Sequence, residues 1–307
     1  MKAVVLRETG GPERLELAEV PDPKPGDGQV VVRVRAAGIN FADVLVRLGR
    51  YPQPPELPTV LGAEFAGEID GRRVMGLSWG GGSGSYAEQV AALPELLVPL
   101  PDGASFEEGA SFLTTFLTAW IPLTQQVRVR EGSVVLVHAA AGGVGSAAVQ
   151  VARYLGARVV VTASSDEKRQ VALDLGAEEA HGYDDFAELV RADVVFDPVG
   201  GDVFERSLGV LQPLGSVIAV GYAGGMWASV DPALLVGRNV GVQGFYLGRL
   251  MRHRPEIVRA GIGELLELWQ GGAFRPLVGA TFPLADAAEA HRLIEERRSV
   301  GKVVLVP

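Results

Sequence analysis

Val134-Val135-Leu136-Val137-His138-Ala139-Ala140-Ala141-Gly142-Gly143-Val144-Gly145 is the stretch that decides the fold. An aliphatic run enters a tight turn of small residues, and the turn opens an amphipathic segment that Gly156 closes. That strand–turn–helix order is the context a dinucleotide fingerprint requires. Ala140, Gly142 and Gly145 hold its three key positions, with alanine in place of the usual first glycine. Gly142 lets the backbone approach a pyrophosphate, and Gly145 lets helix and strand pack closely. The first helical residues, Gly143 and Val144, then offer free N–H groups and a positive dipole end to the phosphates. The competing reading is an αβ turn that needs small residues only for packing.

Outward from this turn the rhythm continues. A second strand is predicted at 158–162, a helix ending near Gly176, and buried strands at 192–197 and 216–220. Strands alternating with helices predict a parallel α/β sheet. The first third differs: short β-prone runs at 1–6, 14–20, 29–37 and 65–69 are separated by turns such as Pro21-Asp22-Pro23-Lys24-Pro25-Gly26. The last segment reads as a helix near 257–269, a strand near 277–282, a helix at 286–298 and a closing strand at 302–306.

The second strand bears on which nicotinamide cofactor fits. An NAD site usually places an acid about 20 residues beyond the glycines, on the ribose 2′-hydroxyl. No acid occurs between Gly145 and Ser165; the turn reads Thr162-Ala163-Ser164-Ser165-Asp166-Glu167-Lys168-Arg169. The Ser164 hydroxyl and the Lys168 cation suit a 2′-phosphate and hence NADPH. Against this, Ser164 and Glu167 fit a capping box, and Lys168 fits a solvated helix position. The missing acid argues for NADPH more firmly than the lysine does.

With 307 residues, 48% hydrophobic and 21% charged, the chain can bury a large core in one or two domains. A net charge of −9 argues against nucleic acid as the main partner. The absence of cysteine excludes disulfides and thiolate metal sites. With no signal-type or membrane-spanning apolar run, the sequence predicts a cytoplasmic protein. Only four lysines and two asparagines occur, a bias that fits either a hot-growing source or a GC-rich genome. The four histidines show no triad or metal spacing, and His138 reads as structural. The Ser/Gly-rich stretch at 78–85 lacks a nucleophile-elbow context.

Several stretches together resemble the medium-chain dehydrogenase/reductase superfamily, in its zinc-free quinone oxidoreductase (zeta-crystallin-like) branch. They are Ala37-Gly38-Ile39-Asn40-Phe41-Ala42-Asp43, Gly49-Arg50-Tyr51-Pro52, Leu61-Gly62-Ala63-Glu64-Phe65-Ala66-Gly67, the turn Ala140 to Gly145, Asp197-Pro198-Val199-Gly200-Gly201 and Gly301-Lys302-Val303-Val304-Leu305. The resemblance implies a GroES-like β-rich catalytic domain at 1–113 and 248–307, with a Rossmann NADPH-binding domain at 114–247. It implies an active site in the cleft and a homodimer through the edge strand at 239–246. It places Asn40 and Tyr51 among the catalytic residues. Thr118, Gly221, Tyr222, Phe245 and Leu247 would lie near the nicotinamide, with Tyr183 and Arg297 toward the 2′-phosphate. Each of these also has a packing or surface reading, and Asn40 has one as a turn residue after Gly38.

The departures shape the expected chemistry. Asn40 stands where the family's alcohol dehydrogenases have a cysteine, and Gly62-Ala63-Glu64 where they have Gly-His-Glu. The four-cysteine lobe is replaced by Gly80-Gly81-Gly82-Ser83-Gly84. Two catalytic zinc ligands are therefore lost, and no Lewis acid remains to activate an alcohol or a plain ketone. Hydride transfer to an electron-poor acceptor needs only alignment and hydrogen bonding. The expectation is NADPH-dependent quinone reduction without a metal. The alternatives are an enone, alkenal or 2-enoyl-thioester reductase and, from another class, a non-catalytic NADPH-binding structural or RNA-binding protein. Leu45 occupies the position where the branch's quinone enzymes often carry a second tyrosine, so the acceptor stays open.

Overall fold

Pro and Gly fix or free φ and interrupt ladders, which cuts the first third into short strands. The computed structural model describes residues 1–78 and 84–307; most of the glycine run at 80–84 lies outside the described residues. The strands are β1 (Lys2–Leu6), β2 (Leu15–Glu19), β3 (Val30–Ile39), β4 (Thr59–Val60), β5 (Glu64–Ile69), β6 (Arg72–Leu77), β7 (Gln89–Ala92) and β8 (Leu97–Pro99). Helices α1 (Phe41–Arg47) and α2 (Phe106–Gly109) accompany them. The middle follows as α3 (Leu113–Ile121), β9 (Val134–Val137), α4 (Gly143–Tyr154), β10 (Arg158–Thr162), α5 (Asp166–Asp174), β11 (Glu179–His181), α6 (Phe186–Leu189), β12 (Ala192–Asp197) and α7 (Gly201–Val210). It continues through β13 (Leu211–Ala219), α8 (Pro232–Arg238), β14 (Gly241–Gly244), α9 (Leu247–His253) and α10 (Pro255–Gln270). The chain ends with β15 (Val278–Pro283), α11 (Ala287–Glu295) and β16 (Lys302–Val306).

Contacts divide the chain into two units, Met1–Thr114 with Arg275–Pro307, and Thr115–Phe274. The first is the GroES-like unit. Its main sheet runs β15-β16-β3-β5-β6-β8, with β7 also on β3. Here β16 lies antiparallel to β3, pairing Val304 with Gly38, while β5 on the other side pairs Glu64 with the same Gly38. Three neighbouring strands thus bring residues distant in sequence to one end of the sheet. Val32, Val34, Phe65, Tyr86, Val303 and Leu305 form part of its core, and each fully buried aliphatic or aromatic side chain contributes about 1.5–3 kcal/mol.

The second unit carries a wholly parallel sheet in the order β11-β10-β9-β12-β13-β14. Strand order reverses between β9 and β12, so their carboxyl ends flank the topological switch point where such sheets bind ligands. The division falls later than the sequence predicts at the second boundary: 248–274 belongs with the Rossmann unit. The reason is the packing of α10, which buries Val258, Gly261, Ile262, Leu265 and Trp269. A Cβ added to Gly261 would lie 3.2 Å from Leu117 of α3, and the Trp120 Nε1–H donates to Glu264 at 2.6 Å. An amphipathic stripe shows that a helix packs, not on what. No helix among the described residues is long and apolar enough to cross a membrane.

Candidate active site

The turn after β9 is built against its own strand. Ala139 takes a left-handed φ of 50°, and Gly142 starts α4 with no side chain capping the first turn. A Cβ on Gly145 would sit 2.1 Å from the Ala139 carbonyl oxygen and 2.9 Å from the Ala140 Cα, so no side chain fits. Gly142 differs. Its nearest obstacle is the Ala139 oxygen at 3.3 Å, and its φ is −81°. A Cβ there needs only a small backbone adjustment, far less than at Gly145, and close approach of a ligand is the further reason a glycine suits this position. The uncapped N–H groups of Gly143, Val144 and Gly145 suit an anion.

Beneath the turn lies a neutral histidine whose tautomer follows from its partners. The Ser207 hydroxyl donates to the Val203 carbonyl (2.6 Å), so its oxygen accepts from His138 Nε2–H (2.8 Å). The His138 Nδ1 then accepts from the Thr162 hydroxyl at 2.7 Å. Burial lowers the His138 pKa to about 3, with repulsion from Arg206 adding to it. Tyr183 stacks on this ring at 6.2 Å and accepts the Ala139 N–H on its hydroxyl oxygen at 3.1 Å. Tyr183 is thereby placed at the fingerprint turn.

At the end of β10 the cap is Ser165, whose hydroxyl accepts from the Lys168 N–H at 3.3 Å. A simple N-cap at Ser165 therefore replaces the capping box expected of Ser164 and Glu167, and the exposed Ser164 hydroxyl is released from that task. Partial burial lowers the Lys168 pKa, with Glu167 acting against the shift. Arg169, not singled out in the sequence, donates to the Ala163 carbonyl at 3.2 Å and pairs with Asp166. Its guanidinium is thus fixed at the same strand end.

Gly221, Tyr222, Phe245 and Leu247 follow β13 and β14 at the carboxyl edge of the sheet. A Cβ on Gly221 would lie 3.1 Å from the Pro198 oxygen, and the Phe245 N–H donates to Ala219 at 3.0 Å. Tyr222 is buried against Trp227, ring to ring at 4.3 Å. Asp197 holds the neighbouring loop by accepting from Val199 (2.7 Å) and Gly200 (3.1 Å). Burial raises its pKa to about 6, those bonds opposing. Thr118 is buried on α3. Arg297 belongs to the other unit, just past α11, with φ 56°.

In the first unit Asn40 caps α1, its N–H donating to Asp43 Oδ2 at 2.8 Å. Its carbonyl end accepts from Lys302 Nζ at 2.6 Å, while Nδ2 is buried without a hydrogen-bond partner among the described residues. Lys302 also pairs with Glu64 at 2.9 Å, and Glu64 Oε1 accepts the Thr114 N–H at 2.8 Å. Tyr51 lies past the opposite end of α1, its N–H donating to the Leu45 carbonyl; a seven-residue helix spans about 10 Å. The structure therefore separates the backbones of the two predicted catalytic residues.

A second buried chain tethers α1. Arg47 Nε donates to His291 Nδ1 (3.4 Å), which leaves His291 Nε2–H to meet the Tyr86 oxygen (3.3 Å) and the Tyr86 hydroxyl to donate to Asp43 (3.1 Å). Burial raises the Asp43 pKa to about 6 and lowers that of His291 to about 3. Tyr86 is likewise pushed up by burial and by the Asp43 charge. Sequence reading missed Arg47, Tyr86, His291 and the role of Lys302. A buried lysine beside a β-strand run carries no periodic signal that separates it from a surface one.

Comparison with known proteins covers the whole chain. Residues 26–102 match the family described as "Alcohol dehydrogenase GroES-like domain", and 175–305 match "Zinc-binding dehydrogenase". The quinone oxidoreductase of Pseudomonas aeruginosa is 37% identical, covering 100% of this chain and 99% of its own length. A 2-haloacrylate reductase of Burkholderia sp is 35% identical over 99% of this chain and 98% of its own. The quinone oxidoreductase of Thermus thermophilus, solved also in complex with NADPH, superposes with a TM-score of 0.92 at 42% identity, with full coverage of both chains. The chain belongs to the medium-chain dehydrogenase/reductase superfamily, in its quinone oxidoreductase branch.

Proposed function

We propose that this oxidoreductase uses NADPH to reduce quinones, by hydride or electron transfer, without a metal ion. The second unit fits the cofactor: α4 begins uncapped, Gly142 is open toward a ligand, and no carboxylate stands between Gly145 and Ser165 to repel a 2′-phosphate. Ala140 and Gly142 to Gly145 would hold the pyrophosphate. Ser164, Lys168 and Tyr183 would take the 2′-phosphate, with Arg169 as a further cation. Thr118, Gly221, Tyr222, Phe245 and Leu247 would shape the nicotinamide end. NADPH, when bound, supplies the reducing equivalents.

The first unit does not fit zinc. Asn40 and Ala63 are poor replacements for a thiolate and an imidazole, and the Lys302 ammonium sits 2.6 Å from the Asn40 oxygen, where it competes with any divalent ion. The observation that carries the reading is the Asn40 amide, whose buried NH₂ end has no hydrogen-bond partner among the described residues. It would donate to an acceptor oxygen, and Tyr51 would line the pocket. A quinone is electron-poor enough to need no Lewis acid, and its reduced oxygens take protons from water.

The 2-haloacrylate reductase relative favours a second reading, an activated C=C acceptor served by the same donor. Rates of NADPH oxidation with quinones and enones side by side decide between them. Activity on enones alone would replace the quinone. Elemental analysis should find no stoichiometric zinc, and a strong chelator should leave the rate unchanged.

The proposed homodimer uses β14, which pairs only with β13 in the described sheet. Exposed Leu234 and Val236 lie on α8, which precedes it in the chain, and exposed Tyr246 follows it two residues on. Val236→Lys should shift sedimentation toward monomer, and an unchanged dimer would place the interface elsewhere.

A further inference from the structure

Five buried side-chain polar atoms among the described residues lack a hydrogen bond: Asn40 Nδ2, Arg47 Nη2, Glu64 Oε2, Thr114 Oγ1 and Arg206 Nε. Three of these sit in ion pairs, with Glu295, Lys302 and Asp202 respectively for Arg47, Glu64 and Arg206. Asn40 Nδ2 and Thr114 Oγ1 remain, and both residues attach directly to the Glu64–Lys302 pair. Native proteins rarely bury a donor without a partner. Two such atoms on residues bound to one ion pair leave hydrogen-bonding capacity that a ligand could use.

We propose that Lys302, held by Glu64, is the positioning residue that decides which end of Asn40 faces the acceptor. This role rests on the reading of Asn40 as the acceptor's donor and follows from the hydrogen-bond inventory. An amide's O and N are told apart only by their partners. An ammonium has donors and no acceptor, so Lys302 can face only Oδ1. Turning the amide would set two donors against each other and lose the 2.6 Å bond. Nδ2 is therefore held away from Lys302, buried and without a hydrogen-bond partner among the described residues.

The sheet explains how the lysine gets there. Gly38 sits between β16 and β5, and a Cβ on it would lie 2.9 Å from Lys302 Cε and 2.0 Å from the Ala110 oxygen. The missing side chain clears a path across β3, along which Lys302 meets Glu64 and the end of Asn40. Lys302 is 4% exposed and Glu64 0%. At that burial the pair needs both members, since removing one leaves a buried charge uncompensated.

The test is a double-mutant cycle with duroquinone as acceptor. Lys302→Met should lower kcat about tenfold or more, with NADPH affinity by cofactor fluorescence unchanged. In the Asn40→Ala background the same change should alter kcat less than twofold, because the residue through which it acts is gone. Undiminished loss in that background overturns the proposal. If Lys302→Met fails to fold for want of a partner for Glu64, the neutral pair Glu64→Gln with Lys302→Met takes its place under the same criteria.

A second readout needs no turnover. The chain has only Asn40 and Asn239, so asparagine labelled with ¹⁵N gives two side-chain nitrogen signals, each correlated to a pair of protons. The Asn40 signal should be single and should shift on adding duroquinone to the wild type. In the lysine variant it should broaden or double as the amide flips. An unchanged, still single signal sinks the positioning role. If instead Asn40→Ala alone turns over at the wild-type rate, it is the underlying reading of Asn40 that fails.

Discussion

Two glycines of one turn should respond in opposite ways to substitution. In Gly145→Ala the new Cβ would be 2.1 Å from a carbonyl oxygen and 2.9 Å from a backbone Cα, with no flexible side chain to give way. Ordinary overpacking costs about 1–3 kcal/mol, and backbone obstacles put this case at the upper end. The helix propensity gained by Gly→Ala, about 1 kcal/mol, offsets only part of it. A net loss of about 2 kcal/mol should lower the thermal midpoint by roughly 4–8 °C. Gly142→Val brings its added Cβ toward one backbone oxygen, at 3.3 Å, from an ordinary φ of −81°, a contact that a shift of a few tenths of an ångström relieves. Its midpoint should stay within about 2 °C of wild type, a stability change near 0.5 kcal/mol. NADPH should bind at least tenfold more weakly, about 1.4 kcal/mol, because the side chain fills the space of the pyrophosphate. Circular dichroism melts and cofactor fluorescence titrations read the two effects separately. A folded Gly142→Val with full NADPH affinity would refute the assignment of the phosphate turn. A Gly145→Ala as stable as wild type would refute the close approach of α4 to β9.

NADPH should bind at least tenfold more tightly than NADH, and Lys168→Glu should erase that ratio; equal wild-type affinities in fluorescence titration would remove the 2′-phosphate site. Asn40→Ala should cut quinone turnover about ten- to a hundredfold through loss of one neutral donor, and Tyr51→Phe should do less; stopped-flow rates of NADPH oxidation check both. Buried His138 and His291, lowered to about 3, bind fewer protons folded than unfolded, so stability falls as pH drops from about 6.5 toward 3. Asp43 and Asp197, raised to about 6, act oppositely and add stability as pH falls from about 6 toward 4. His138→Gln keeps one donor and one acceptor but removes one titration. Relative to wild type it should therefore gain about 1.4 kcal/mol per pH unit of acidification between pH 6 and 4. Urea midpoints with parallel slopes in both proteins would mean that His138 is not held neutral.

Much of the second unit is legible in the residues because its signals are local. The run Val134 to Val137 predicts a strand, Gly142 to Gly145 predict the turn, and Gly156 predicts where the helix stops; Gly156 does take a φ of 79°. The missing acid before Ser165 is likewise a statement about composition, independent of packing. The sequence places the helix cap one residue early, since Ser164 and Ser165 are equivalent in sequence and only the backbone path separates them.

The first unit is legible in outline and opaque at its site. Resemblance singles out Asn40, yet nothing near it in sequence names Lys302, 262 residues away. Their meeting requires β16 beside β3, Glu64 across the same strand, and the empty side-chain space at Gly38. The same holds for Arg47, Tyr86 and His291, and for α10 packing on α3. Sequence alone determined the strand–turn–helix of the cofactor unit and the amide and methyl that Asn40 and Ala63 present, because backbone propensity and donor chemistry belong to each residue. Tertiary structure decided which buried charge faces which amide, because hydrogen-bond partners across a sheet are set by strand order and register, which no local pattern encodes.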